Sequence, residues 1–93
     1  MAHLYILRCS DNSLYVGSTD NLEERIKRHK AGFASDFTKQ HTIAELVYTE
    51  EYPTYNAAFR RERQLKGWTR AKKEALIAGD IELLKELSKS KKE

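Results

Sequence analysis

"HLYILRCSDNSLYVGST", residues 3–19, reads as two β-strands joined by a polar turn, with one tyrosine in each strand. "HLYILRC" and "SLYVGS" are apolar and β-prone, and Ser10, Asp11, Asn12 and Ser13 between them are turn formers. The register of this hairpin controls what the tyrosines can do. A turn centred between Asp11 and Asn12 pairs Tyr5 with Ser18 and Arg8 with Tyr15, and the two rings then point to opposite faces. An odd-length loop or a β-bulge instead sets Tyr5 opposite Gly17 or Thr19 and brings both rings to one face.

Beyond the hairpin, "DNLEERIKRHKAG" reads as a helix, with Asp20 as its cap, Glu23 in a capping box and Gly32 as its stop. "FASDFTKQHT" has no periodicity and reads as a loop. "IAELVYTEEY" alternates, which places Ala44, Leu46, Tyr48 and Tyr52 on one face of a half-buried strand. The only proline, Pro53, ends that strand, and Thr54 can cap a helix running to about Trp68. Thr69 restarts a helix that closes at Gly79, and Asp80 caps a last one with an apolar stripe of Ile81, Leu84 and Leu87. The order ββαβααα predicts an α+β fold, a small three-stranded antiparallel sheet with flanking helices. Residues 1–88 read as one domain, and the basic end, 89–93, as a frayed tail.

A chain of 93 residues has a thin core, so polar groups turned inward need a reason to be there. With 40% hydrophobic and 33% charged residues and no long apolar run, the composition is that of a soluble protein, and a cytoplasmic location fits it. The single cysteine, Cys9, excludes an internal disulfide and reads as buried filler at the end of a strand. The net charge of +3 conceals an asymmetry. Residues 1–59 carry six basic against eight acidic residues, whereas residues 60–93 carry eleven against six. Within "RRERQLKGWTRAKK", residues 60–73, seven bases surround one acid, Glu62. Such a patch suits a nucleic-acid partner, through Arg60, Arg61, Arg63, Lys66 and Arg70; it equally suits a solvated helix face.

Glu62 is the most informative position. On a helical wheel it lies within the stripe formed by Tyr55, Ala58, Phe59, Leu65 and Thr69, so it points toward the core side. An ionised carboxylate there needs a partner, and from position alone it reads equally as a structural ion pair or a functional group. Arg25 and His29, four residues apart on the first helix, stack on one face at the rim of its apolar stripe. Arginine offers a planar fork for phosphate oxygens, and histidine can move a proton near neutral pH. Taken alone, "EERIKRHK" reads as a solvated charged helix. Lys39 and His41, in the central loop, are weaker candidates for contacts to a polyanion.

Together these residues resemble the GIY-YIG nuclease superfamily, most closely its small stand-alone bacterial YhbQ-like branch, over about residues 3–78. "LYIL" stands where the family has GIY, and "LYVGST" where it has YIG. "NLEERIKRH" carries the family arginine at Arg25 and the histidine at His29, and "AAFRRERQLKGWTRAKKEALI" resembles the helix bearing the metal-binding glutamate, Glu62. His3 stands where the family has its first glycine. The resemblance implies a metal-dependent endonuclease acting on DNA, branched or damaged DNA included, with RNA as a further substrate to test. It implies one divalent ion, Mg²⁺ or Mn²⁺, on Glu62, a phosphate clamp at Arg25, and Tyr5, Tyr15 and His29 orienting water or moving protons. Gly17, Lys39 and the basic residues of 60–70 would contact nucleic acid. The other reading is a nucleic-acid-binding module with little cleavage, recruited by a partner. The expected state is a monomer, with weak pairing through the last helix as the alternative. A shared site for both tyrosines requires the odd hairpin register, and that register is the expectation.

Overall fold

A computed structural model describes residues 1–31 and 43–90. Gly32, Lys39, His41 and the tail at 91–93 lie outside the described residues. The elements are β1 (Ala2–Cys9), β2 (Leu14–Thr19), α1 (Leu22–Lys30), β3 (Ile43–Tyr52), α2 (Tyr55–Lys66), α3 (Arg70–Ala78) and α4 (Ile81–Ser90). This is the expected ββαβααα order. The strands form one antiparallel sheet in the order β2-β1-β3. β1 is central and its "LYIL" run is buried throughout, because helices contribute to both faces of the sheet. Leu4 and Ile6 meet Val16, Leu65 of α2 and Leu76 of α3 in the main core. Tyr5 points to the other face, where it meets His29 of α1. Cys9 is a buried free thiol.

The hairpin takes the odd register. Tyr5 pairs with Gly17 and Leu7 with Tyr15, so both tyrosines share one face. The cause is a three-residue loop, Ser10 to Asn12. A turn closes from Asn12 N–H to the Cys9 carbonyl at 2.8 Å, and Cys9 N–H then donates to the Ser13 carbonyl at 2.9 Å. Asn12 occupies the left-handed region, φ 71°, which this loop type requires and asparagine tolerates. Arg8 holds the tip, donating to Asn12 Oδ1 at 2.8 Å and, through both terminal nitrogens, to Glu74 of α3 at 2.8 and 3.0 Å.

β3 departs from simple alternation. Its pairing with β1 shifts between Ile6 and Leu7 and again between Arg8 and Cys9. Tyr48 and Tyr52 pack toward the core as expected, but the first bulge turns Val47 inward and leaves Leu46 39% exposed. Between the two tyrosines Glu50 also faces inward. It accepts from Tyr48 at 2.5 Å, Tyr52 at 2.6 Å and Arg61 at 3.0 and 3.2 Å. Burial pushes this carboxyl upward, but Arg61 and the two hydroxyls outweigh it and hold Glu50 below its usual range.

Helix ends follow capping chemistry. Thr54, Thr69 and Asp80 accept from the backbone N–H groups of Ala57, Lys72 and Leu83. Gly79 closes α3 in the left-handed conformation, φ 72°. Two boundaries differ from expectation. α1 is capped by Asn21, which accepts from Glu24 N–H, rather than by Asp20, because β2 continues to Thr19 and the Thr19 hydroxyl accepts from Asn21 N–H. α2 stops at Lys66 with Gly67 as its cap, two residues short of Trp68. Of the last helix's stripe, Leu84 packs on the core and Leu87 is half-buried, while Ile81 is exposed.

Candidate active site

Tyr5 lies flat across its pairing partner, and this is possible only because that partner has no side chain. A Cβ on Gly17 would stand 2.5 Å from both Cζ and the hydroxyl oxygen of Tyr5. Gly17 is itself buried, so its part is to make room for the ring rather than to meet nucleic acid, as the sequence had suggested. Tyr5 is fully buried, and its hydroxyl shares a 2.7 Å hydrogen bond with Nε2 of His29, which is 1% exposed. The Tyr15 ring leans on the same histidine, centroid to centroid 4.9 Å, and lies 6.4 Å from Tyr5. Tyr15 is only half-buried, so it is the tyrosine that borders solvent.

Burial keeps the Tyr5–His29 pair neutral. Burial, with Tyr15 and Glu62 adding to it, lifts the Tyr5 hydroxyl well above its ordinary range; Arg25 opposes them. Burial and then the positive charge of Arg25 lower His29 to about 4. At neutral pH the Tyr5–His29 bond therefore holds one shared proton and no net charge. Arg25 is half-buried and acts on both groups electrostatically. The sequence placed His29 at the rim of α1; the structure buries it fully.

Glu62 approaches from the opposite side of the sheet. Its Oε1 accepts from the Ser18 hydroxyl at 2.5 Å, and Ser18 pairs with Leu4, on the α2 side. Its Oε2 holds the Lys66 ammonium at 2.7 Å, and that ammonium lies 6.0 Å from the centre of the Tyr15 ring. The two half-sites thus meet around β2, an edge strand with nothing hydrogen-bonded beyond it among the described residues. Tyr5, Tyr15, Arg25, His29 and Glu62 are brought together as the sequence suggested. Ser18 was missed. Its only signal is position, one residue after Gly17 and therefore on the Glu62 side of the strand.

The basic residues divide. Arg60 and Arg63 are exposed. Arg61 is committed to Glu50 and lies 5.2 Å from the Trp68 ring centre, and Arg70 binds Glu74 and the Asn12 carbonyl. Both therefore brace the fold instead of offering the free charge expected of them.

A divalent ion would find one carboxylate here, since no group of three or more His, Cys, Asp or Glu that could hold a metal occurs among the described residues. That donor set suits Mg²⁺ or Mn²⁺, which keep waters and take phosphate oxygens, and does not suit an all-protein cage. Lys66 already sets a positive charge against Glu62, which marks the position as cation-attracting. Its side chain is 51% exposed. The residues fit.

The GIY-YIG catalytic domain matches residues 1–75. The chain belongs to the GIY-YIG family. Within that nuclease family it is similar to UPF0213 proteins of both archaea and bacteria, wider than the bacterial branch expected. A UPF0213 protein of Natronomonas pharaonis is 42% identical over 78 residues, covering 84% of this chain and 92% of the relative. One from Staphylococcus haemolyticus is 41% identical over 75 residues, covering 81% and 92%. The solution NMR structure of a UPF0213 protein from Bacillus halodurans superposes with a TM-score of 0.55 at 37% identity, over 84% of each chain. These names state no activity. No helix among the described residues is long and apolar enough to cross a membrane.

Proposed function

We propose that this GIY-YIG chain is a metal-dependent endonuclease that hydrolyses phosphodiester bonds in DNA. The observation that carries the reading is the convergence around β2 of a solvent-bordering tyrosine, a guanidinium and a carboxylate. Arg25 clamps a non-bridging phosphate oxygen, and Arg60 and Arg63 attract the backbone. Tyr15 orients the attacking water, because it is half-buried whereas Tyr5 is sealed. Tyr5 and His29, sealed behind it, hold the Tyr15 ring in place and supply a neutral path along which a proton can be shared. Glu62, oriented by Ser18, holds the divalent ion. When bound, that ion would neutralise charge on the phosphate and the leaving oxygen.

Cleavage of plasmid, branched and single-stranded DNA, and of RNA, is measured with Mg²⁺ or Mn²⁺ and with chelator. We expect nicking that needs the metal and falls at least ~10²-fold in Glu62→Gln and in Arg25→Ala, both remaining folded by circular dichroism. Undiminished cleavage by Glu62→Gln would overturn the mechanism. The Lys66–Glu62 ion pair favours a second reading, a nucleic-acid-binding module whose carboxylate is permanently occupied. Salt-sensitive binding with no cleavage under any metal would select it.

A further inference from the structure

The wheel stripe read from the sequence assigned Tyr55 and Phe59 to the core, and the structure turns both outward. Tyr55 is 45% and Phe59 38% exposed, with their rings stacked at 6.0 Å and 20°. Only Ala58 and Leu65 of α2 are fully buried. Taking Glu62 as the origin, at about 100° per residue, Tyr55 falls near 20°, Lys66 near 40°, Phe59 near 60° and Arg63 near 100°. One sector of the helix therefore carries the candidate catalytic carboxylate, the ammonium that reaches Tyr15, both exposed rings and a guanidinium. Arg63 lies 5.9 Å from the Phe59 ring centre, which extends the stack by a cation. Arg61, on the far side of the helix, is tied to Glu50 and takes no part.

We propose that Tyr55 and Phe59 form a stacking platform for unpaired bases of a single-stranded nucleic-acid segment leading into the Glu62 site. The proposal rests on the nuclease reading for its direction, since the platform ends where that reading puts the scissile phosphate. Three features carry it. Support of a helix by an aromatic pair four residues apart is far weaker than the gain from burying either ring, so a purely structural account leaves their exposure unexplained. The flanking charge is positive, from Arg60 and Arg63, which suits phosphates between stacked bases and repels a basic protein partner. The rings also begin about 10 Å along the helix from Glu62, within reach of nucleotides neighbouring one bound at the site. Bases in an intact duplex cannot present their faces to such a platform, so the substrate class is single-stranded or locally opened.

The test measures anisotropy of a labelled oligothymidylate, of an abasic oligomer of equal length and of a duplex, bound to the full chain in chelator. No cleavage is needed, so an absence of nuclease activity would sink the nuclease reading without altering this measurement. We expect Tyr55→Ala and Phe59→Ala each to weaken oligothymidylate binding about tenfold. The abasic oligomer should be unaffected, and Tyr55→Phe should bind like the parent. Arg63→Ala should weaken the abasic oligomer too and shallow the salt dependence. Oligothymidylate affinity unchanged in both alanine variants would overturn the proposal and leave the rings as a protein-docking patch. Equal losses on the abasic oligomer would overturn it as well.

Discussion

Tyr5 and Tyr15 are two identical side chains on one face, 6.4 Å apart, and the structure gives them different surroundings. Tyr5 is fully buried and bonded to a buried histidine, so removing its hydroxyl leaves Nε2 of His29 without that partner. We expect Tyr5→Phe to destabilise the chain by about 1–3 kcal/mol, the usual cost of a stranded buried polar atom. Tyr15 is half-buried, and Tyr15→Phe should cost less stability than Tyr5→Phe while lowering the rate of cleavage by ~10² or more. Urea titration and single-turnover cleavage on both variants separate the roles; equal rate loss with equal stability would refute the division. Three members of the candidate site were legible as departures from a local rule, whereas Tyr5 and Tyr15 are ordinary strand residues in local terms. A carboxylate faces a thin core, and a histidine and arginine stack beside an apolar stripe. The resemblance then supplied their order. Gly17 and Ser18 were not legible in their actual parts, because a steric gap and a hydrogen bond exist only once strands are paired. Arg61 and Arg70 show the same limit: on a wheel, a braced arginine and a free one look alike.

At the scale of elements, a single loop residue helps to set whether the two tyrosines share a face. Asn12, at φ 71°, closes the three-residue loop that sets the odd register. An even register would send Tyr15 to the other face, away from His29. A β-branched residue resists the left-handed conformation, so Asn12→Val should cost about 1–2 kcal/mol. Asn12→Gly, which accepts that conformation and loses only the Arg8 contact at the exposed tip, should stay within about 0.5 kcal/mol. Denaturant unfolding checks the energies. An amide-to-amide nuclear Overhauser map of β1 against β2 checks that Asn12→Gly retains the Tyr5–Gly17 pairing; a shifted pairing in that variant would disprove the account. Caps were legible for a related reason. Thr54, Thr69, Asp80 and Gly79 act on backbone within a turn of themselves, so the sequence alone contains the interaction. The bulges of β3 were hidden because alternation is a property of one strand, whereas a bulge is a mismatch between two. That is why Leu46 was assigned inward and Val47 was not.

For the whole molecule, the buried ionisable groups predict acid sensitivity with one sign. His29 has a folded pKa of about 4 against 6.5 as the ordinary value, so the folded state refuses a proton that the unfolded chain accepts. Stability is therefore complete above pH 6.5 and declines as pH falls toward 4, by at most on the order of 3 kcal/mol. Glu50 and Glu74 act in the same direction at lower pH. Glu74 is held below its usual range first by the hydrogen bond from Arg8, which outweighs the upward push of burial, with a hydrogen bond from Arg70 adding to it. Glu50 is held down by Arg61, Tyr48 and Tyr52 against burial. Each carboxylate contributes stability that is present above its unfolded value and lost as pH drops through its folded one. A domain this small has little stability in reserve, so the three losses are expected to show as a continuous fall in urea midpoint from pH 7 to pH 4 and below. His29→Gln separates the contributions. It removes the titrating ring, so whatever its stability at pH 7, the slope between pH 6.5 and 4 should flatten while the fall below pH 4 persists. A slope unchanged in His29→Gln would mean that the folded chain takes up the His29 proton as readily as the unfolded one, and the exclusion of charge from the buried Tyr5–His29 pair would have to be abandoned.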